Sequence, residues 1–469
     1  MGNSLFAKRS QRINLPQRGQ KPPRSHLKAN AMSVLIPILL FLTACSDFIS
    51  PVKSTPGPES EYAFNYWLLN NIYLYEDELP NLQEDGDSIQ LLYNTLKDPY
   101  TTYTPPSQSE DKITHLNTSM IAGDVGIRYF NYPNLEHPII IDRVYPQSPA
   151  GKAGVPRFGS IISVNDIELT GDKAKVTYDS ILNYSKTIRL LVAYKGETKL
   201  YELQKETIFA PTIFVDTLFE DSSKGYPGII FITIEGFKPK TVDQDSGSYG
   251  ELKTYLKSTI SDKRVRVLDL RGNLGGHVKQ STLMADLFVS TGILSTTLSR
   301  SLNPDGESIH TSSTTKAKAG DPGETGNFII LANQATASAA EIFIAAVTEL
   351  TDIPLIGSRT FGKGIGQTPF FTYAGGVATI TNYQFLTPKG NSYHKVGIPP
   401  KYECDNTIGE ICAAKIANKL YGVKSSYQDD SVLAKQYRKN TDETKNFEGG
   451  AIEWTNIDTY LKVFNDLHR

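Results

Sequence analysis

Apolar positions change their spacing several times along the chain, and each change predicts a different kind of element. A continuous apolar run, Val34 to Leu42, comes first. From Tyr62 to about Leu116 the apolar residues recur at three and four positions. Phe64, Trp67, Leu68, Ile72 and Tyr75 share one helical face, and Ile89, Leu92 and Leu96 repeat it. Asp98-Pro99-Tyr100 and Pro105-Pro106 break this pattern. Between about Ser119 and Glu206 short strands separated by glycine turns are predicted at Gly126–Tyr129, Pro138–Val144, Gly159–Val164 and Thr187–Ala193. Ser148 to Gly154 reads as a short helix with a serine start and a glycine stop.

From Thr207 onward strands and helices alternate, which predicts a layered α/β unit. Strands are expected at Gly228–Ile234, Val265–Leu270, Phe328–Ala332, Ile353–Gly357 and Gly376–Tyr383, and helices at Tyr249–Ser261 and His277–Phe288. Pro304 to Asn327 is polar and reads as an exposed loop. Ala339, Ile342, Phe343, Ala346 and Leu350 form the apolar face of one more helix, placing Ser338 on a strand-to-helix turn. Gly362-Lys363-Gly364 follows the next strand. A serine hydroxyl needs a base to take its proton, and a lysine buried among apolar groups is pushed toward the neutral amine that can do so. Each residue alone has a simpler reading: the serine as a helix cap, the lysine as a surface turn.

Composition narrows the class. At 469 residues more than one domain is expected, and 39% hydrophobic with 21% charged residues suits a globular protein. A net charge of −2 gives no footprint for nucleic acid. Three cysteines, Cys45, Cys404 and Cys412, show no metal-ligand spacing, and neither metal nor cofactor is expected. Basic residues before Val34, then a run too short to span a bilayer, read as an export signal over 1–44. Leu42-Thr43-Ala44-Cys45 resembles a bacterial lipobox, which implies lipidation of Cys45, a membrane anchor, and a place in the cell envelope, by the Ser46 that follows in the outer membrane. Residues 45–61 then form a tether rich in Ser, Pro and Gly. In an oxidising space Cys404 and Cys412, eight positions apart, could pair or remain two thiols. Met32 is an alternative start to Met1, and residues 421–469 have no assignable role, although Leu461 and Phe464 could dock.

Two resemblances give these pieces a context. Gly123-Asp124-Val125-Gly126-Ile127, Ile141 to Val144, Ser148-Pro149-Ala150, Ala153-Gly154 and Ile161 to Asn165 resemble a PDZ domain, with Ser160 departing from the usual Asp. That implies a peptide added as a strand, its terminal carboxylate held by the loop Gly123, Asp124, Val125, Gly126 and Ile127. A PDZ-like wedge that only positions its neighbours is the alternative. Leu268-Asp269-Leu270-Arg271-Gly272-Asn273-Leu274-Gly275-Gly276, Ala337 to Phe343, and Phe361 to Gln367 resemble the C-terminal processing peptidases, or tail-specific proteases, of the S41 serine peptidases. Thr387-Pro388-Lys389-Gly390 and Gly397-Ile398-Pro399-Pro400 agree.

The fold implied is α/β and multidomain: a helical unit (62–118), a PDZ-like domain (119–206), and a crotonase- or Clp-protease-like core (207–420). The resemblance implies Ser338 as nucleophile, Lys363 as base, Gln367 as orienter of the lysine, and N–H groups of Ala339 and of Gly275 or Gly276 as the oxyanion hole. Protein or peptide substrates with accessible C-termini follow, with an adaptor or a second copy of the chain open as further partners. Glu341 reads as a capping or packing residue, His277 as a helix start, and Asp269 with Arg271 as a pair that holds the glycine turn. The competing function is a catalytically silent peptide- or ligand-binding protein on the same fold.

Overall fold

A computed structural model describes residues 60–80, 88–404 and 409–425. The signal segment, the tether up to residue 59, Cys45 and the chain beyond 425 lie outside the described residues.

A six-stranded sheet runs in the order Ile213–Asp221, Tyr226–Ile234, Arg266–Asp269, Phe328–Ala332, Leu355–Gly357, Tyr402–Glu403. Its first pair is antiparallel and all others are parallel. The central strands are apolar at nearly every position because both faces are covered. Ile230, Ile232, Leu268 and Ile330 pack beneath the helices Gly247–Ser258, Val278–Asp286 and Ala339–Leu350. The alternate residues Ile229, Phe231, Val267 and Ile329 meet Ala413, Ala414 and Ala417 of the helix Gly409–Tyr421. Each fully buried Ile or Leu contributes roughly 1.5–3 kcal/mol. The two layers therefore fix where the strand ends stand, and the ends of 266–269 and 328–332 carry the glycine turn and the Ser338 turn.

A second, five-stranded sheet holds Thr102–Thr104, Val377–Leu386, Ile293–Leu302 and Ser308–Lys316 in that order, with Ile365–Phe371 also on Val377–Leu386. Two features differ from the sequence reading. The stretch expected as a loop contains the strand Ser308–Lys316, whose Ser/Thr-rich side chains face solvent while its backbone pairs with Ile293–Leu302. The helical stretch after Tyr62 contains Thr102–Thr104, which pairs with Val377–Thr379. Its helix Glu61–Ile72 shares a core with Phe370, Ala378 and Ile380. The apolar face of a 12-residue helix is too small to be buried alone, so it is completed by the sheet.

Residues 127–204 form an antiparallel sheet, Ile127–Asn131, Ile139–Val144, Ser160–Val164, Thr187–Tyr194 and Glu197–Gln204, with Ile167–Glu168 against Ser160–Val164. It has its own core around Ile139, Ile161, Tyr178 and Leu190, with helices at Pro149–Ala153 and Ala174–Tyr184. Met120–Asp124 leaves this sheet and pairs instead with Glu206–Phe209. An ion-pair group docks the unit on the core: Arg143 is bidentate on Asp216 at 2.7 and 3.1 Å, Arg157 also reaches Asp216, and Arg128 reaches Asp142 (2.7 Å) and Glu235.

Candidate active site

The apolar strand 328–332 ends at Asn333, and the next residues must turn before the helix begins. Asn333 accepts from Gly272 N–H at 3.0 Å, and Thr336 Oγ1 donates to Leu270 O at 2.8 Å. Ala337 N–H donates to Asn273 O at 2.9 Å, and Phe361 N–H to Thr336 O at 3.0 Å. The turn is thus tied to the glycine loop on one side and to the lysine loop on the other. Ser338 sits at its apex with φ 59° and ψ −122°. For a residue with a side chain that backbone is strained and persists only where its surroundings impose it.

Glu341, one turn into the helix, supplies much of that constraint. It is fully buried. One carboxylate oxygen, Oε2, accepts from Ser338 N–H (2.9 Å) and Lys363 N–H (2.7 Å). The other, Oε1, accepts from Gly362 N–H (2.7 Å) and Thr360 Oγ1 (2.5 Å). Because two backbone nitrogens share Oε2, those of Ser338 and Lys363 lie no more than the sum of the two distances, 5.6 Å, apart. Burial pushes the Glu341 carboxyl up, against the four donors that hold the carboxylate. The capping expected of Glu341 is therefore one part of a larger role.

Lys363 Nζ donates to Gln367 Oε1 at 3.0 Å, and Gln367 Nε2 donates to Thr381 Oγ1 at 3.0 Å. The register of the strand 365–371 shifts between Gly366 and Gln367. Burial lowers the Lys363 pKa, Asp98 pulls it back up, and Lys112 pushes it down. Among the described residues Nζ hydrogen-bonds to Gln367 and not to Ser338 Oγ.

Gly275 lies against the serine, and Gly276 against the backbone of Phe237. A Cβ on Gly275 would fall 2.8 Å from Ser338 Cβ and 2.9 Å from Ala339 N, and its φ of +102° disfavours any side chain. Ala339 heads the helix, where N–H groups have no intrahelical partner. Of the two glycines, Gly275 donates its N–H to Asn273 Oδ1 at 2.8 Å. Arg271 anchors this loop from behind. It pairs with Asp269 at 2.6 Å and with buried Glu410 at 2.5 Å. Cys404 and Cys412 are joined by a disulfide that holds the first turns of the Glu410 helix to the strand 402–403. His277 is the N-cap residue of the helix 278–286.

The loop Gly123–Ile127 is placed between the strands 120–124 and 127–131, where Gly126 N–H donates to Asp124 Oδ1 at 2.5 Å. Val125 and Ile127 pack in the core of the 127–204 unit, while Gly123 and Asp124 end the strand that pairs with Glu206–Phe209. Among the described residues no cluster of three or more His, Cys, Asp or Glu is arranged to hold a metal, and no helix is long and apolar enough to cross a membrane.

Sequence reasoning missed the segment 98–101. Asp98-Pro99-Tyr100 read only as a helix stop, yet the Tyr100 ring lies 4.1 Å from Lys363 Nζ. Thr101 Oγ1 accepts from Thr381 N–H at 3.0 Å and donates to Asp98 Oδ2 at 2.6 Å. No local pattern marks this contact, because 263 positions separate the two side chains.

Residues 228–404 match the model of Peptidase family S41. The "Probable CtpA-like serine protease" of Staphylococcus aureus (strain COL) is 28% identical over 369 residues, which cover 77% of this chain and 69% of that protein. Its namesake in Staphylococcus haemolyticus (strain JCSC1435) is 29% identical over 417 residues, 87% of this chain and 76% of that one. A solved structure named provisionally as an S41 protease, from Bacteroides fragilis NCTC 9343, superimposes with a TM-score of 0.51 at 16% identity, covering 77% of this chain and 93% of that one, a likeness of fold. Over residues 228–404 the chain is thus similar to the S41 family of serine peptidases, and over most of its length to the two CtpA-like serine proteases.

Proposed function

We propose that the protein is a lipid-anchored serine endopeptidase of the bacterial envelope that uses a Ser338–Lys363 dyad and captures its substrates by their C-termini. The observation that carries the catalytic reading is the shared Glu341 oxygen, which holds the backbones of Ser338 and Lys363 within 5.6 Å while Gln367 takes the lysine amine. In this mechanism Lys363, whose proton affinity partial burial lowers, swings as the free amine from Gln367 to the serine and takes the Oγ proton. Oγ attacks the peptide carbonyl, and the oxyanion is held by the N–H groups of Ala339 and Gly276, Gly275's being used by Asn273. The lysine ammonium returns the proton to the leaving amine, and water, deprotonated by the same lysine, hydrolyses the acyl-enzyme.

The 127–204 unit would act as a PDZ domain, adding a substrate strand along Ile127–Asn131, the edge of its sheet. Cys45 would carry the lipid. The test is digestion of an unstructured protein by the full chain in detergent, beside Ser338→Ala and Lys363→Ala. Both variants should lose activity by at least about a thousandfold. Equal cleavage by wild type and variants, or none by any, would overturn the reading. Amidating the substrate's C-terminus should weaken capture, and Cys45→Ser should release the protein from membranes.

A further inference from the structure

Lys363 has one neighbour that the dyad scheme leaves unused. The centroid of the Tyr100 ring lies 4.1 Å from Nζ, which donates to Gln367 Oε1. The ring is not loosely placed. Tyr100 N–H donates to Asp98 Oδ1 at 3.0 Å, and Asp98 is buried. The neighbouring Thr101 is bonded to Thr381, the residue that holds Gln367, and Thr102–Thr104 pairs with the strand containing Thr381. Lysine, its amide partner and the ring are therefore referenced to one strand.

We propose that Tyr100 is a positioning residue that sets the proton affinity of Lys363, its ring face holding the ammonium that forms when the serine is deprotonated. An aromatic face attracts a cation and is indifferent to an amine, so it favours the protonated state, most strongly where water is excluded. The ring also shields the amine, which favours the neutral state. The two effects oppose each other, which keeps the base titratable instead of fixing it in one form. Other charged or titratable groups around Lys363 are Asp98 and Lys112 on the N-terminal segment, Glu341 on its backbone N–H, and His394, which packs on Gly364. None of these places a cation-attracting face on Nζ. The N-terminal segment is then a working part of the site.

The catalytic meaning rests on the Ser-Lys reading, but the proton affinity can be measured without turnover. The pH dependence of Lys363 acylation by acetic anhydride, read by mass spectrometry of its peptide, gives the amine's midpoint. The acid limb of kcat/KM gives it again in the working enzyme. In Tyr100→Phe both should match wild type, because the ring face remains. In Tyr100→Leu or Tyr100→Met, which fill the space without a π face, both should fall by about 0.4 to 1.5 pH units. In Tyr100→Ala, where water returns, both should rise relative to the Leu variant. Unmoved midpoints in the Leu and Met variants, each with wild-type circular dichroism, would overturn the proposal, as would a Phe variant that shifts as far as Leu. If wild type cleaves nothing, the dyad reading falls, while the acylation midpoints still decide the role of Tyr100.

Discussion

Replacing Glu341 by Gln isolates the carboxylate that joins the two halves of the site. Either oxygen can become the amide nitrogen, and the geometry ranks the two choices. At Oε2 the nitrogen would face the Ser338 and Lys363 N–H groups, donor against donor. At Oε1 it would face Gly362 N–H and Thr360 Oγ1, and that hydroxyl can turn to accept. The second orientation wins. It forfeits one hydrogen bond to a charged acceptor, weakens the other charge-assisted bonds, and leaves Gly362 N–H unpaired. At roughly 1.5–3 kcal/mol for each such bond, the cost is about 3 kcal/mol. Glu341→Ala strands all four donors and should cost about 6 kcal/mol or more. Thermal unfolding followed by circular dichroism should show a midpoint lowered by on the order of 5–10 °C for Gln. The kcat of the folded Gln variant should fall by more than tenfold, because a displacement of about 1 Å at a reacting group costs that much or more. A Gln variant within 0.5 kcal/mol of wild type, with unchanged kcat, would refute Glu341 as the tie.

Three further outcomes are expected. Gly275→Ala puts a methyl 2.8 Å from Ser338 Cβ and 2.9 Å from Ala339 N at a φ of +102°, so peptidase activity should drop on the order of a hundredfold while the far-ultraviolet spectrum is kept. Asp216 is pushed up by burial but held down to about 2 by Arg143 and Arg157. A depressed carboxylate stabilises the folded state above its ordinary pKa and ceases to as pH falls through the folded value. The stability gap between wild type and Asp216→Asn, measured by urea unfolding, should therefore shrink by about 2 kcal/mol between pH 5 and pH 2. The Cys404–Cys412 bridge closes a short loop, so Cys404→Ser with Cys412→Ser should lose about 2–3 kcal/mol by chain entropy. Activity should fall as well, since the bridge holds Glu410 against Arg271 behind the glycine turn, and an unchanged kcat would separate that pair from catalysis.

Much of the candidate site could be read locally. Small residues before an amphipathic helix placed Ser338 on a turn, and the glycine pair and Gln367 stood at family spacings. What was not legible is how these pieces are held. Glu341 looked like a cap because its first-turn position explains it. Its bonds to Thr360, Gly362 and Lys363 depend on how two parallel strands stack. The strand Ser308–Lys316 reads as a loop because, apart from Ile309, its residues are all polar. A hairpin that hydrogen-bonds by one edge has no buried face to reveal it.

The sequence alone determined the alternation of elements and the turn chemistry at Ser338 and Gly275, while the candidate dyad came from the family resemblance. The first two are set by side-chain period and backbone preference, which act over a few residues. Only the tertiary structure decided that Tyr100 stands on Lys363, that Glu410 reaches Arg271, and that Thr102–Thr104 joins the sheet behind Gln367. Such contacts depend on which strands pair and in which register. Pairing is chosen by the burial of whole faces across hundreds of positions, and that choice leaves no mark in any short stretch of sequence.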